Sequence, residues 1–234
     1  VASQFNFLEM VGPSVSPEDG VTRYEHDHTQ GPACAMAAGA ATIYRNYGVP
    51  VGDLTGQTAD RQLDGLQEIG VHLSQALGCA VSDLWEMRNG YALATQRGLS
   101  LISEHLNQLS AADVHALSGL LRIGLHQDVE VTDAPTLPGP LVSQAFCSAL
   151  PVAYGRVPQQ HWEAFARLIL NAAYEATLLA GVLNARRGKS NIVLLTSLGG
   201  GAFGNAPKWI QDAMAQALNL MSGHDLDVRL VSYG

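Results

Sequence analysis

Apolar residues recur along the chain with two spacings, one typical of helices and one typical of strands. Helical spacing, together with start and stop residues, predicts helices over 29–46, 57–76, 99–108, 111–120, 160–186 and 209–218. Short apolar or alternating runs predict strands over 1–10, 121–133, 141–150, 191–195 and 226–233, and a hairpin over 84–93 that turns at Asn89-Gly90. Strands separated by helices indicate an α/β protein, which we expect to be a three-layer α/β/α fold with a central mixed sheet and helical insertions, in a single domain over 1–234.

A glycine-rich loop joins the strand 191–195 to the helix 209–218. The loop residues with candidate roles are Ser197, Gly199, Gly200, Gly201, Ala202, Phe203, Gly204 and Asn205. Glycine lets the backbone take positive φ and approach a ligand closely. Because a loop that leads into a helix directs free N–H groups at what binds there, the pattern predicts an anion-binding loop. A tight turn with glycines for packing is the alternative.

Polar residues occupy the ends of three predicted strands, at 4–9, 148–153 and 196–205. In open α/β sheets, ligands bind beyond the carboxyl ends of the strands. The first of these ends is followed by Asp27 and Gln30. These features would converge on one cleft if the strands are neighbours.

The first and last of these strand ends resemble macrodomains, and in particular the poly(ADP-ribose) glycohydrolase-like branch of that fold. The segment 196–205 resembles the second phosphate loop of the family, and 3–6 resembles its strand ending in asparagine. The resemblance implies a macrodomain-like fold that binds ADP-ribose or an ADP-ribosylated protein, with the diphosphate on the loop amides and no cofactor. It also implies an ADP-ribosyl hydrolase in which Asn6 contacts the distal ribose and Phe203 lies beside that ribose. The helix start over 31–41, beginning at Gly31, would take the place of the helix that follows the family's first phosphate loop.

The catalytic carboxylate does not carry over from the family, since no triple glycine follows Asn6 and no Glu-Glu pair is present. Cleavage at the anomeric carbon needs a carboxyl group that protonates the leaving group or activates water. Asp27 ranks first because it lies just before the helix predicted from residue 29, and Glu9 and then Glu18 follow. Asn6 and Gln30 would orient the distal ribose. A non-catalytic ADP-ribose reader with the same pocket is the first alternative.

A thiol hydrolase is the second alternative. Cys34 lies near the first turn of a predicted helix, where the helix dipole lowers the pKa of a thiol, and Gln30 could serve as an oxyanion donor. This arrangement loosely resembles the nucleophile end of papain-like cysteine peptidases, and His126 or His161 could supply the base. A small buried residue among alanines is the structural alternative for Cys34.

Two other polar clusters are not assigned to a binding site. His26 and His28 flank Asp27, but two ligands do not make a metal site, so no metal is expected. The segment 45–47, Arg-Asn-Tyr, looks exposed and could stack on an adenine or a ribose, although core packing is favoured for Tyr47.

Composition narrows the function classes. The 234-residue chain has a net charge of −8, which argues against a broad nucleic-acid or anionic-membrane surface. No apolar run approaches the roughly 20 residues that span a bilayer, and no signal peptide is visible. The 3 cysteines are far apart, which is typical of reduced thiols. We expect a cytoplasmic or otherwise intracellular protein, while the sequence is also compatible with a secreted one.

Overall fold

The computed structural model describes residues 1–27 and 29–231. The chain folds into two compact units. The first contains Val1–Gly65, Met87–Tyr91 and Ile123–Cys147, and the second contains Leu66–Glu86, Ala92–Arg122 and the chain from Ser148 onwards. The single domain expected from the sequence stays a prediction.

The protein mixes helices and short strands, as the sequence predicts at this coarse level. The α-helices among the described residues are α1 (Gln30–Ala37), α2 (Gly39–Ile43), α3 (Gln67–Leu77), α4 (Val81–Leu84), α5 (Gln96–Gln108), α6 (Ala111–Ser118), α7 (Glu163–Arg186) and α8 (Pro207–Leu220). The strands are β1 (Pro50–Val51), β2 (Leu54–Thr55), β3 (Trp85–Arg88), β4 (Tyr91–Ala94), β5 (Gly124–Glu130), β6 (Leu141–Phe146), β7 (Ile192–Leu195) and β8 (Asp227–Leu230).

The strands of the described residues pair two by two, as β1–β2, β3–β4, β5–β6 and β7–β8. The first and third pairs are antiparallel, and β7–β8 is parallel. The expected central mixed sheet is therefore not formed by hydrogen bonding among these residues. The last predicted strand, 226–233, is confirmed as β8, and its residues 232 and 233 lie outside the described part of the chain.

The N-terminal segment of the first unit departs from the predicted strand 1–10. Only its first residues run beside the end of β6, where Ala2 forms a parallel bridge with Cys147. The chain then turns back at Phe7, whose φ is 62°. The reason is local, because the Asn6 side-chain oxygen accepts a hydrogen bond from the Leu8 N–H at 3.1 Å. A side chain that bonds nearby backbone competes in this way with sheet pairing.

The helix predicted over 29–46 is broken in two. Ala38 separates α1 from α2 with φ −120° and ψ 59°. At the break, Thr132 donates its N–H to the Ala37 carbonyl at 2.8 Å, and its hydroxyl accepts from the Gly39 N–H at 3.3 Å. These contacts replace bonds within the helix. After α2 the chain widens into one π-helical turn, Tyr44–Gly48.

The helix predicted over 57–76 begins only at α3. The segment before it is held as a loop by the buried side chain of Gln57. Its amide donates to the carbonyls of Asn6 at 3.0 Å and Arg45 at 3.1 Å, and its oxygen accepts from the Leu63 N–H at 3.0 Å. Several backbone partners of one glutamine therefore override the helical pattern.

The hairpin prediction is confirmed by β3 and β4. Asn89 and Gly90 have φ of 47° and 78°, so both central residues of the turn are left-handed. A type I′ turn requires positive φ at both of these positions. The helices predicted over 99–108 and 111–120 are also confirmed, as α5 and α6.

Helix α7 forms the centre of the second unit and packs on α8, β7, α5 and α6. Gly181 permits the approach to the sheet, since a β-carbon there would lie 2.5 Å from the Val193 side chain. By length and composition the segment Gln159–Arg186 is long and apolar enough to cross a membrane, and 44% of its apolar window is buried inside the protein. The residues of α7 buried here are Phe165, Ala166, Leu168, Ile169, Leu170, Ala172, Ala173, Tyr174, Leu178 and Val182.

Candidate functional site

The glycine-rich loop begins where β7 ends, and α7 fixes its start. The Tyr174 hydroxyl donates to the Thr196 carbonyl at 2.7 Å and accepts from the Leu198 N–H at 2.9 Å. One buried tyrosine therefore satisfies two backbone groups at the point where the strand becomes a loop.

The loop is closed on itself by Asn205. The Asn205 N–H donates to the Gly199 carbonyl at 2.9 Å, and its side-chain amide donates to the carbonyls of Leu150 at 2.9 Å and Gly199 at 3.2 Å. Gly199 and Gly204 have φ of 72° and 69°, which favours glycine at both positions. Because Asn205 is buried, the bonds that hold the loop's shape are shielded from water.

A second strand end forms the wall behind the loop. A β-carbon at Gly199 would collide with the Ala149 side chain, and one at Gly204 would lie 2.8 Å from Ala153. The Ala153 N–H donates to the Phe203 carbonyl at 3.0 Å. The structure thus brings together two of the three strand ends singled out in the sequence, 148–153 and 196–205.

The outer side of the loop is open. Gly200, Gly201 and Ala202 are exposed, and a β-carbon at Gly201 would meet no atom within 4 Å. Within the described residues, the N–H groups of Gly201 and Ala202 have no hydrogen-bond acceptor in the protein. Adjacent exposed amides on a braced loop before a helix are donors that suit an anion, for which a phosphate is the common case.

An aromatic pair, Phe203 and Tyr154, borders the open amides. The sequence predicts a role for Phe203 only. The rings of Phe203 and Tyr154 lie with centroids 5.6 Å apart at an interplanar angle of 75°. Tyr154 directly follows the polar strand end 148–153, and this position is the sequence feature that indicates a role for it.

Comparison of the chain with protein-family models, with curated proteins and with solved structures finds no match.

Asn6, a predicted ribose contact, lies in the first unit and is fully buried. Its side-chain amide donates to the Gln62 side-chain oxygen at 2.8 Å, while its oxygen accepts from Leu8. Both ends of the side chain are therefore occupied within the protein. In this structure Asn6 shapes the turn at Phe7.

Glu9 is also buried in the first unit, at 1% exposure. Its Oε1 accepts from Arg45 Nη2 at 2.9 Å, while Oε2 has no partner among the described residues. Burial raises the pKa of this carboxyl to about 7, and the charge of Arg45 only partly opposes that rise. The pair is inside the fold, where Glu9 supports structure.

Asp27, unlike Glu9, reaches the surface. It is half-buried, and its Oδ1 accepts from the N–H of Thr29 at 2.8 Å and from the Thr29 hydroxyl at 2.6 Å. These bonds orient the carboxylate at the start of α1. Glu18, the weakest candidate, instead accepts from the Ala59 N–H at 2.8 Å, and that bond lowers its pKa.

Gln30, Gly31 and Cys34 lie together on the first turns of α1. The Gln30 side-chain oxygen accepts from the Ala2 N–H at 2.8 Å, and its amide donates to Cys34 Sγ at 3.0 Å. Gly31 is required sterically, since a β-carbon there would collide with the Ala2 carbonyl. Cys34 is half-buried. Its sulfur has the Gln30 amide as a neighbour, and no imidazole is paired with it in the described part of the chain.

No group of three or more potential metal ligands occurs within residues 1–27 and 29–231. His28, one half of the His-Asp-His pattern, lies outside the described residues, and His26 is exposed.

A cavity of about 440 Å³ opens at the opposite end of β7 from the glycine-rich loop. Arg186 and Lys189 lie on its rim with His224 and Asp225. Both cations follow or end α7, where positive charge stabilises the carbonyl end of a helix. Their position is thus explained by the helix itself.

Proposed function

We propose that this chain binds ADP-ribose through a macrodomain-like fold and is an ADP-ribosyl hydrolase that removes ADP-ribose from modified proteins. The observation that carries the proposal is the braced loop 199–205, with the exposed amides of Gly201 and Ala202 and the buried amide of Asn205 behind them. A diphosphate matches adjacent N–H donors, and fixed donors bind an anion without reorganisation. Phe203 next to these amides supports a nucleotide sugar in preference to a bare anion.

Binding of ADP-ribose tests the first half of the proposal. We expect isothermal titration calorimetry to show one site for ADP-ribose, with weaker binding of AMP, because AMP lacks the second phosphate. The absence of a heat signal with ADP-ribose would contradict both the proposed hydrolase and the alternative of a non-catalytic reader.

The hydrolytic half is tested at Asp27, because the sequence ranks this carboxylate first and it reaches the surface. Asn accepts hydrogen bonds as Asp does, so Asp27→Asn preserves the contacts with Thr29 and removes only the charge. We expect it to lower release of ADP-ribose from a modified protein by about 100-fold or more, the usual contribution of a general acid or base, with ADP-ribose affinity unchanged. Asp53→Asn, at an exposed aspartate of the same unit, is the matched control.

One specific observation supports the reader as the alternative: Glu9, one of the candidate carboxylates, is buried against Arg45. If wild-type protein binds ADP-ribose and releases none from a modified protein, the chain is a reader. Cys34→Ala tests the thiol hydrolase, since loss of activity in this variant without any binding of ADP-ribose would identify that alternative.

A further inference from the structure

Tyr154 is an aromatic residue at the proposed site to which the sequence gave no role. Its side chain is 37% exposed, so part of the ring surface is open to solvent. It meets Phe203 edge to face, an arrangement that aromatic rings prefer to a face-to-face sandwich. An edge-to-face pair presents two ring surfaces at right angles, which together form a corner.

The backbone holds this corner against the loop. Tyr154 ends a short 3-10 helix, Val152–Tyr154, and its N–H donates to the Pro151 carbonyl at 3.0 Å. The neighbouring Ala153 N–H donates to the Phe203 carbonyl, and Ala153 also packs against Gly204. The backbone segments that carry the two rings are therefore held next to each other by a direct hydrogen bond.

A further hydrogen bond holds the same segment of the loop. The Gln159 side-chain amide donates to the Gly204 carbonyl at 2.8 Å. Gly204 is the residue between Phe203 and Asn205, so the aromatic corner and the open amides belong to one braced segment. A group bound on the amides of Gly201 and Ala202 would place its next part near the corner.

That next part has a defined chemistry under the proposed function. The diphosphate of ADP-ribose is joined on one side to adenosine and on the other to the distal ribose, which Phe203 is proposed to contact. Sugar rings carry a C–H face that packs well on an aromatic surface, and a corner of two rings encloses more of a sugar than a single ring does.

We propose that Tyr154 is a specificity-determining residue, which with Phe203 encloses the distal ribose and so distinguishes ADP-ribose from ADP. This inference rests on the proposed function. It predicts that the preference for ADP-ribose over ADP depends on the ring of Tyr154.

The test is calorimetry with ADP-ribose and with ADP on wild-type protein, Tyr154→Ala and Tyr154→Phe. We expect Tyr154→Ala to weaken ADP-ribose binding by about 10-fold, which corresponds to about 1.4 kcal/mol, and to leave ADP binding within about twofold. Tyr154→Phe retains the ring and is expected to keep the wild-type preference. Tyr44→Ala, at a tyrosine 48% exposed in the first unit, is the control and is expected to change neither affinity.

Each outcome separates the inference from the proposed function. If wild-type protein binds ADP-ribose and Tyr154→Ala keeps the preference over ADP, the inference is overturned and the proposed function stands. An equal loss for both ligands also overturns it, because it would show that Tyr154 supports the loop as a whole. If wild-type protein fails to bind ADP-ribose, that result contradicts both the inference on Tyr154 and the proposed function.

Discussion

Gly199→Ala is expected to abolish ADP-ribose binding and to destabilise the second unit by about 2–4 kcal/mol. The added methyl group would collide with the Ala149 side chain and lie 2.7 Å from the Asn205 side-chain nitrogen. It would also hold alanine at a φ of 72°. Overpacking costs about 1–3 kcal/mol and a left-handed alanine about 1–2 kcal/mol more. Because the clash falls on Asn205, relief of the strain must open the loop.

Gly201→Ala provides the matched control, two residues further along the same loop. A β-carbon there meets no atom within 4 Å, and its φ is not in the left-handed region. We expect its free energy of unfolding to lie within about 0.5 kcal/mol of wild type. Urea denaturation followed by tryptophan fluorescence measures both variants, since Trp85, Trp162 and Trp209 all belong to the second unit. Equal stability of the two variants would contradict the account of the loop.

Arg45→Met is expected to destabilise the first unit by about 3–5 kcal/mol at pH 8, the usual cost of leaving a buried charge without its partner. The guanidinium donates to Glu9, to the Phe7 carbonyl at 3.1 Å and to Thr42, and it stacks 3.7 Å from the centre of the Phe146 ring. Methionine fills much of that volume and supplies none of the donors. At pH 5 the loss is expected to be smaller, since Glu9 then takes up a proton and carries no charge.

The wild-type protein should show a related pH dependence. The pKa of Glu9 is about 7 when folded, against its ordinary value of 4.5, so the folded state binds more protons than the unfolded state between these values. Stability is therefore highest at the acidic end of this window and falls as the pH rises through 7, by roughly 3 kcal/mol from this group. Glu9→Gln removes the titration and is expected to flatten the slope between pH 5 and pH 8.

Hydrogen exchange measured on peptides from residues 1–65 reports on the first unit, which contains no tryptophan. Arg23→Met is the control, because Arg23 is an exposed arginine of the same unit. If Glu9→Gln keeps the wild-type slope, another group titrates. If Arg45→Met loses the same protection at pH 5 and pH 8, then Glu9 remains uncharged throughout.

Features that depend on short stretches of chain could be predicted from the sequence. Asn89-Gly90 specifies its turn through the φ values that those residues tolerate, and the apolar stripe of α7 specifies the central helix. The glycine run after β7 likewise indicated a strand-to-helix loop. In each case the residues that determine the structure are neighbours in the sequence.

Features that depend on residues far apart in the chain could not be predicted from the sequence. The segment 45–47 looked exposed, yet Arg45 and Asn46 are buried at 6% and 1%, and only Tyr47 is half exposed. Arg45 is buried because Glu9, which precedes it by 36 positions, supplies its counter-charge. Glu9 in turn was a candidate catalytic carboxylate at a predicted strand end, because no local pattern shows which arginine it will meet.

The wide π-helical turn Tyr44–Gly48 has a consequence for this pairing. A π-turn holds one more residue than the α-helical turn it replaces, so it changes the angular positions of the side chains that it carries. Arg45 is the second residue of this turn, and its guanidinium meets the buried carboxylate of Glu9. Whether a cation faces that carboxylate therefore depends on the winding of this segment as well as on its composition.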